Sequence, residues 1–138
     1  MRPLLEFSAS MEELSSPGDP FVNLIYSLAV SNASRRPVGK KASNRALSEA
    51  LVRSGLRGRL GRRVTKHQMA DYAEGLLLYA WMEGWITLQE CVILLSREIK
   101  DSIDRGLELE DASVAAFTDL LRCVGEREEA AGHGGCRG

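Results

Sequence analysis

The stretch that decides the fold is residues 66–84, KHQMADYAEGLLLYAWMEG. Apolar residues occupy nearly every turn of it, which is typical of a helix buried in a core. Asp71 and Glu74 are exceptions, and because they are three residues apart they share one face of that helix. Ionised carboxylates rarely enter a core without a positive partner. The sequence therefore predicts a metal ion or an arginine beside these two acids.

Two helices are predicted before this central helix and close to the amino terminus. Loosely spaced apolar residues indicate a first helix over residues 3–14, and the Pro-Gly pair at 17–18 ends it. Asp19 then has the chemistry of an N-cap, with Pro20 at the first helical position. The second helix is predicted to run from there to about Asn32.

The remaining helices are predicted from caps and apolar spacing. Ser43 or Asn44 caps a helix over about 44–54, and a short helix or turn follows near 56–60. Thr65 is a plausible cap for the central helix. Thr87 with Glu90 forms a capping-box pattern before a helix over 88–104, and a last helix covers 108–124. No segment alternates with the period of a strand, so the predicted fold class is all-α, with six to seven helices.

Length and composition are those of one globular domain. The chain has 138 residues, 44% of them hydrophobic, and a net charge of −1. Residues 1–124 are expected to form the helical domain, and the Gly-rich residues 125–138, which lack a core-forming pattern, a flexible tail. No apolar run reaches the roughly 18 residues of a membrane span. We therefore expect a soluble, cytoplasmic protein without a membrane partner.

Basic residues are concentrated between positions 35 and 66, where Glu49 is the single acid. This distribution favours a surface that faces phosphates, although a solvated face with structural salt bridges to later helices would give the same pattern. The residues that we expect to contact nucleic acid are Arg35, Arg36, Lys40, Lys41, Arg62, Arg63 and Lys66.

The acids suggest a chemistry that suits a phosphate-facing surface. Hydrolysis of a phosphodiester needs an activated water and a stabilised leaving oxygen, and Mg²⁺ held by carboxylates supplies both. Asp71 and Glu74 offer two ligands one helical turn apart, and Asp19 is the best candidate for a third. Spacing alone leaves the plainer alternatives open, in which the pair is a polar stripe and Asp19 is only a cap. His67, four residues before Asp71, lies on the same face and could approach the acids.

Three segments, in order, resemble the endonuclease domain of the ribonuclease III family. Gly18-Asp19 with the apolar run 21–29 is similar to the first signature of the family, and residues 43–56 to its middle helix. The most specific segment is Ala70-Asp71 with Glu74-Gly75-Leu76-Leu77, followed by Tyr79 and Gly84. Ser15 stands where the family usually carries a glutamate. In its size the chain resembles the compact single-domain members called Mini-III and small archaeal relatives.

This resemblance implies an all-α endonuclease domain that forms a homodimer and cuts double-stranded or structured RNA. It implies Mg²⁺ (or Mn²⁺) bound by Asp19, Asp71 and Glu74, which would be the catalytic residues. Two other readings remain open at this point. The chain could be a catalytically degenerate dimer that serves as an RNA-binding or assembly module. It could also be a helical structural protein in which Asp71 and Glu74 pair with arginines such as Arg62.

Overall fold

The computed structural model describes residues 4–136, with the backbone alone over 133–136. This part of the chain contains no strand, so the all-α prediction is confirmed. It forms five α-helices and one short 3₁₀-helix rather than six or seven helices. The elements are α1 (Met11–Ser34), α2 (Asn44–Arg53), the 3₁₀-helix (Arg57–Arg59), α3 (Lys66–Met82), α4 (Leu88–Asp104) and α5 (Leu109–Cys136).

The central helix of the sequence is also central in the structure. Helix α3 packs against α1, α2 and α5, while α4 lies against α1 and α5. Leu76 and Leu77 of α3 are fully buried, as are Ile25 of α1, Leu51 of α2 and Phe117 of α5. One core therefore draws on every helix, and α3 contributes its most continuous apolar surface.

The predicted break before Asp19 is wrong, because α1 runs unbroken through it. The helix begins at an N-cap on Ser10, whose hydroxyl and backbone form a capping box with Glu13. Pro17 and Pro20 lie inside the helix, where each removes a backbone hydrogen bond. Both prolines are exposed, so the carbonyls that they leave unpaired can face water. The predicted helix over 3–14 thus exists only from Met11 onward, and residue 3 lies outside the described part.

Local caps set the other helices close to their predicted bounds. Ser43 caps α2, Thr65 caps α3 in a box with Gln68, and Thr87 caps α4 in a box with Glu90.

Helix α5 does not end at Val124 as predicted but continues to Cys136. Contacts of Gly125 and Arg127 help to hold this extension against the body of the protein. Gly125 packs against Leu56 so closely that an added Cβ would lie 3.1 Å from a Leu56 methyl carbon. Arg127 donates to the Trp85 carbonyl at 2.8 Å and to Glu90 at 2.9 Å. The proposed division of the chain at residue 125 stays a prediction.

Candidate active site and nucleic-acid interface

The candidate site lies where α1 crosses α3, and two glycines make the crossing close. A Cβ on Gly18 would lie 2.6 Å from the Glu74 carbonyl oxygen, and one on Gly75 would lie 2.7 Å from the Met11 carbonyl oxygen. Neither position can therefore carry a side chain without moving a backbone. Each glycine is next to an acid in the sequence, Gly18 to Asp19 and Gly75 to Glu74. The contact of the two backbones thus brings the two acids together.

Asp19 and Glu74 form a carboxyl pair across this crossing. Glu74 is buried, with only 4% of its surface exposed, whereas Asp19 is half-buried. Burial, a hydrogen bond with the Asp19 carboxyl and the charges of Asp19 and Asp71 raise the pKa of Glu74 from 4.5 to about 8, although the charge of Lys41 lowers it. The protonated Glu74 can donate to the Asp19 carboxylate. A like-charged pair with a raised pKa is a common property of functional sites, because a bound cation would reverse its cost.

Asp71 lies one turn before Glu74 and is more exposed than Glu74. Its carboxylate is 3.5 Å from His67 Nε2, and His67 Nδ1 is 3.1 Å from the side-chain amide of Asn44. His67 therefore approaches Asp71, as its spacing indicated. Asp71 acts on Glu74 through its charge, but its contact is with His67 rather than with the carboxyl pair.

A polar stripe on α1 positions the first basic segment. The backbone N–H groups of residues 38, 40 and 42 donate to Ser31, Ser27 and Asn23 at 2.8, 2.8 and 2.9 Å. The hydroxyls of Ser31 and Ser27 donate back to the carbonyls of residues 38 and 40. Asn23 in turn donates to Asp19 at 3.4 Å. Loop 35–43 therefore runs back along α1 toward the acids and carries Lys40 and Lys41 with it.

The second basic segment approaches the acids from the amino-terminal end of α3. Arg57 donates to the carbonyls of residues 60, 61 and 62, which folds loop 60–64 against the protein. Arg59 pairs with Glu128 and is hydrogen-bonded to the Tyr72 hydroxyl. These two arginines hold the loop in place. Arg62 and Arg63 in the loop and Lys66 at the start of α3 are exposed.

The basic residues of 35–66 divide into a structural group and an unpaired group. Arg45 and Arg59 form ion pairs with acids of α5, so the reading of structural salt bridges to later helices holds for these two, whereas Arg53 pairs with Glu49 of its own helix. Seven others are exposed and make no ion pair within residues 4–136. They are the residues predicted to contact nucleic acid: Arg35, Arg36, Lys40, Lys41, Arg62, Arg63 and Lys66.

The structure differs from the alternative in which Asp71 and Glu74 pair with arginines. Over the described range neither Asp71 nor Glu74 forms an ion pair with an arginine, and Arg62 pairs with no acid there. Asn23, Ser27 and Ser31 were absent from the predicted site residues, although they position the basic loop. Their signal in the sequence is the spacing of four that continues from Asp19 along an otherwise apolar helix.

The carboxylate oxygens at the site meet part of what a hard divalent cation requires of its ligands. Carboxylate oxygens are the ligands that Mg²⁺ prefers, and because Mg²⁺ keeps several waters, two carboxylates can be enough. Asp19 and Glu74 meet that need. No group of three His, Cys, Asp or Glu side chains in the described part is arranged to hold a metal ion. Asp71 is therefore near the pair without completing a three-ligand cluster with it.

Comparisons with known proteins agree with this geometry. A family model described as Ribonuclease III matches residues 12–130, which include the three segments of the resemblance and all five helices in whole or in part. A comparison with curated proteins found no match for the chain. No helix within residues 4–136 is both long and apolar enough to cross a membrane. Because the match covers most of the 138 residues, this chain belongs to the ribonuclease III family, as a compact helical domain of that family.

Proposed function

We propose that the chain is a divalent-metal-dependent endoribonuclease that hydrolyses phosphodiester bonds in double-stranded or structured RNA. The observation that carries the proposal is the Asp19–Glu74 carboxyl pair, which two different helices bring together beside two basic segments. Within residues 4–136 neither acid of this pair forms an ion pair with a lysine or arginine, although Lys41 acts on Glu74 through its charge. Family membership makes RNA the expected substrate.

The roles follow from the chemistry of each group. Asp19 and Glu74 would hold Mg²⁺ or Mn²⁺, with Asp71 as a further carboxylate at the same site. The bound ion would activate a water and stabilise the leaving oxygen. The seven unpaired cations would bind phosphates on either side of the acids, which positions RNA by its A-form shape rather than by its sequence.

The test is cleavage of a long RNA duplex in Mg²⁺ by the wild type beside Glu74→Gln and Asp19→Asn. Each variant keeps the size of its side chain and removes one carboxylate. We expect the wild type to cut and each variant to lose at least about a hundredfold in rate, since one carboxylate ligand of a metal is worth several kcal/mol. Glu126→Gln on the exposed side of α5 is the matched control and should cut normally. A wild type that binds no duplex in low salt would refute the proposal.

A second candidate is a catalytically degenerate dimer that binds RNA or serves in assembly. Ser15 favours it, because it replaces a carboxylate that the family usually carries. The Ser15 hydroxyl instead donates to the Glu12 carbonyl at 2.8 Å. In this case the wild type and Glu74→Gln would bind duplex equally and neither would cut it.

The homodimer that the family resemblance implies is part of the proposal. Several aromatic residues that could line a subunit contact are already used within the chain. Trp81 stacks on Phe21 with ring centres 5.2 Å apart, and Tyr79 meets Trp85 edge-on at 5.4 Å. Exposed apolar surface is instead available on α1 at Leu24 and Leu28. Light scattering of the wild type and of Leu24→Glu tests whether this surface pairs two copies.

A further inference from the structure

A half-enclosed cleft lies beside the carboxyl pair, and apart from Asp71 its residues have no part in the reaction proposed above. Its volume is about 360 Å³, and it opens between the start of α1, loop 60–64 and the start of α3. The residues that line it are Met11, Glu12, Leu60, Val64, Gln68, Asp71 and Tyr72. Asp71 belongs to the cleft and also acts on Glu74 through its charge. The cleft therefore shares Asp71 with the candidate active site.

Each wall of the cleft is held by contacts outside it. Met11 and Glu12 belong to the first turn of α1, which the Ser10 capping box fixes. Leu60 is fixed through the arginine that donates to its carbonyl, Arg57. The Tyr72 hydroxyl lies near Arg59, which is itself held by its ion pair with Glu128 of α5. The cleft is thus formed before any ligand arrives, as binding sites for small groups usually are.

The lining has an apolar part and a polar part that differ in chemistry. Leu60, Val64 and the Tyr72 ring offer surface against which a flat aromatic group can pack. At the edge, the Gln68 side-chain oxygen already accepts the Thr65 N–H at 2.8 Å. Its NH₂ group is therefore left to donate to a ligand, while the Glu12 and Asp71 carboxylates can accept. A group that fits is planar and apolar on its faces, with hydrogen-bond donors and acceptors at its edge.

The basic residues around the cleft indicate that the planar group is attached to a phosphate chain. Arg62 and Arg63 immediately precede Val64 in the lining and are exposed without ion pairs in the region described. Lys66 begins the helix that carries Gln68. A planar group bound here would therefore have a phosphate chain beside it.

We propose that the cleft binds an unpaired nucleobase next to the phosphodiester that is cut, which makes RNA with a bulged nucleotide the preferred substrate. This inference rests on the proposed function and refines its substrate. The base packs against Tyr72, and the Gln68 NH₂ donates to its edge. A fully paired duplex keeps its bases stacked inside and leaves the cleft empty.

The test measures binding in EDTA, which prevents metal-dependent cleavage. Three RNA duplexes of equal length are compared: fully paired, with one bulged nucleotide, and with one bulged abasic nucleotide. We expect the bulged duplex to bind about tenfold tighter than the abasic one, at the low end of what a base stacked on an aromatic ring contributes. In Mg²⁺, cuts should concentrate beside the bulge.

Gln68→Glu is the sharpest variant because Glu keeps the capping box with Thr65, removes the donor and adds one negative charge. It should reduce the preference for the bulge to about twofold or less, since a hydrogen bond at the base edge is lost and a third carboxylate, beside Glu12 and Asp71, repels the acceptors at that edge. Gln89→Glu is the matched control, because Gln89 is exposed in the first turn of α4 and the charge change is the same. Tyr72→Leu, which removes the ring, should abolish the preference as well.

The outcomes separate this inference from the proposed function. If the wild type binds and cuts paired duplex but treats the bulged and abasic duplexes alike, the cleft is not a base site and the proposed function stands. If Gln68→Glu and Gln89→Glu weaken binding equally, the effect is one of net charge and the inference is overturned. If Leu60→Asp converts a dimer into a monomer, a second copy covers the cleft and the inference is again overturned. If the wild type binds no RNA, both proposals fail together.

Discussion

Replacing Glu74 by glutamine should make the metal-free protein more stable at alkaline pH and leave it unchanged at acid pH. Glu74 has a pKa of about 8 in the folded protein and an ordinary value of 4.5, so its protonated form suits the buried site. Stability from the neutral carboxyl is fully present below 4.5 and is lost as the pH rises through 8. Glutamine is neutral throughout and can donate to Asp19 as the protonated acid does.

The size of the effect follows from the same two values. The difference between 4.5 and about 8 corresponds to an upper limit of about 5 kcal/mol, at about 1.4 kcal/mol for each pH unit. Asp19 is half-buried, and water at the edge of the pair reduces this limit to roughly 2–4 kcal/mol. The free energy of unfolding of Glu74→Gln should therefore exceed that of the wild type by this amount at about pH 8.5, with almost no difference at about pH 4.

Urea denaturation in EDTA at the two pH values measures this difference directly. Glu126→Gln is exposed on α5 and should leave the unfolding free energy nearly equal to that of the wild type at both pH values. Adding Mg²⁺ should then stabilise the wild type and not Glu74→Gln, so the difference between their free energies of unfolding becomes smaller or changes sign. A gain in stability that is the same at both pH values would refute the argument, because it could not come from the ionisation of Glu74.

Results for four further variants are expected. Gly75→Ala should lower the free energy of unfolding by about 1–2 kcal/mol in urea denaturation, since overpacking against the α1 backbone outweighs a gain in helix propensity of about 1 kcal/mol. Gly132→Ala, at a helical position with open space around it, should stabilise by about 0.5–1 kcal/mol, and a destabilisation equal to that of Gly75→Ala would contradict the close crossing. Ser15→Glu should tighten Mg²⁺ binding in calorimetry by about tenfold, because it restores a carboxylate at the family position; an unchanged affinity would mean that residue 15 does not face the ion. Lys41→Met should reduce the salt dependence of RNA binding by about one counterion and raise the pKa of Glu74 further, and an unchanged slope would remove this lysine from the interface.

Features that depend on adjacent residues were predictable from the sequence. The caps at Ser43, Thr65 and Thr87 are each formed by side chains within three residues of the backbone that they bind. The buried helix was predictable for a similar reason, because its apolar pattern is complete within one segment. These features fix the fold class and place Asp71 and Glu74 on one helix.

Features that depend on distant segments were not predictable in the same way. The continuity of α1 through Pro17 and Pro20 is decided by how Gly18 packs on α3, which no local rule describes. The length of α5 depends on Arg127 reaching Trp85 and Glu90. The contact between Asp19 and Glu74 likewise depends on a crossing of two helices. The family resemblance supplied that pairing, whereas spacing alone left it open.

The polar stripe on α1, formed by Asn23, Ser27 and Ser31, binds the backbone of the extended segment 38–42. Its three contacts join residues 7, 13 and 19 positions apart, so each contact encloses the one before it. Once the innermost contact has formed, each further contact closes only a short additional loop and costs little loop-closure entropy. Because all three contacts lie within residues 23–42, the pairing of α1 with the basic loop can precede the docking of α3. In a hydrogen-exchange experiment, the amides of Val38, Lys40 and Ala42 should then exchange together with those of α1 as a single cooperative unit.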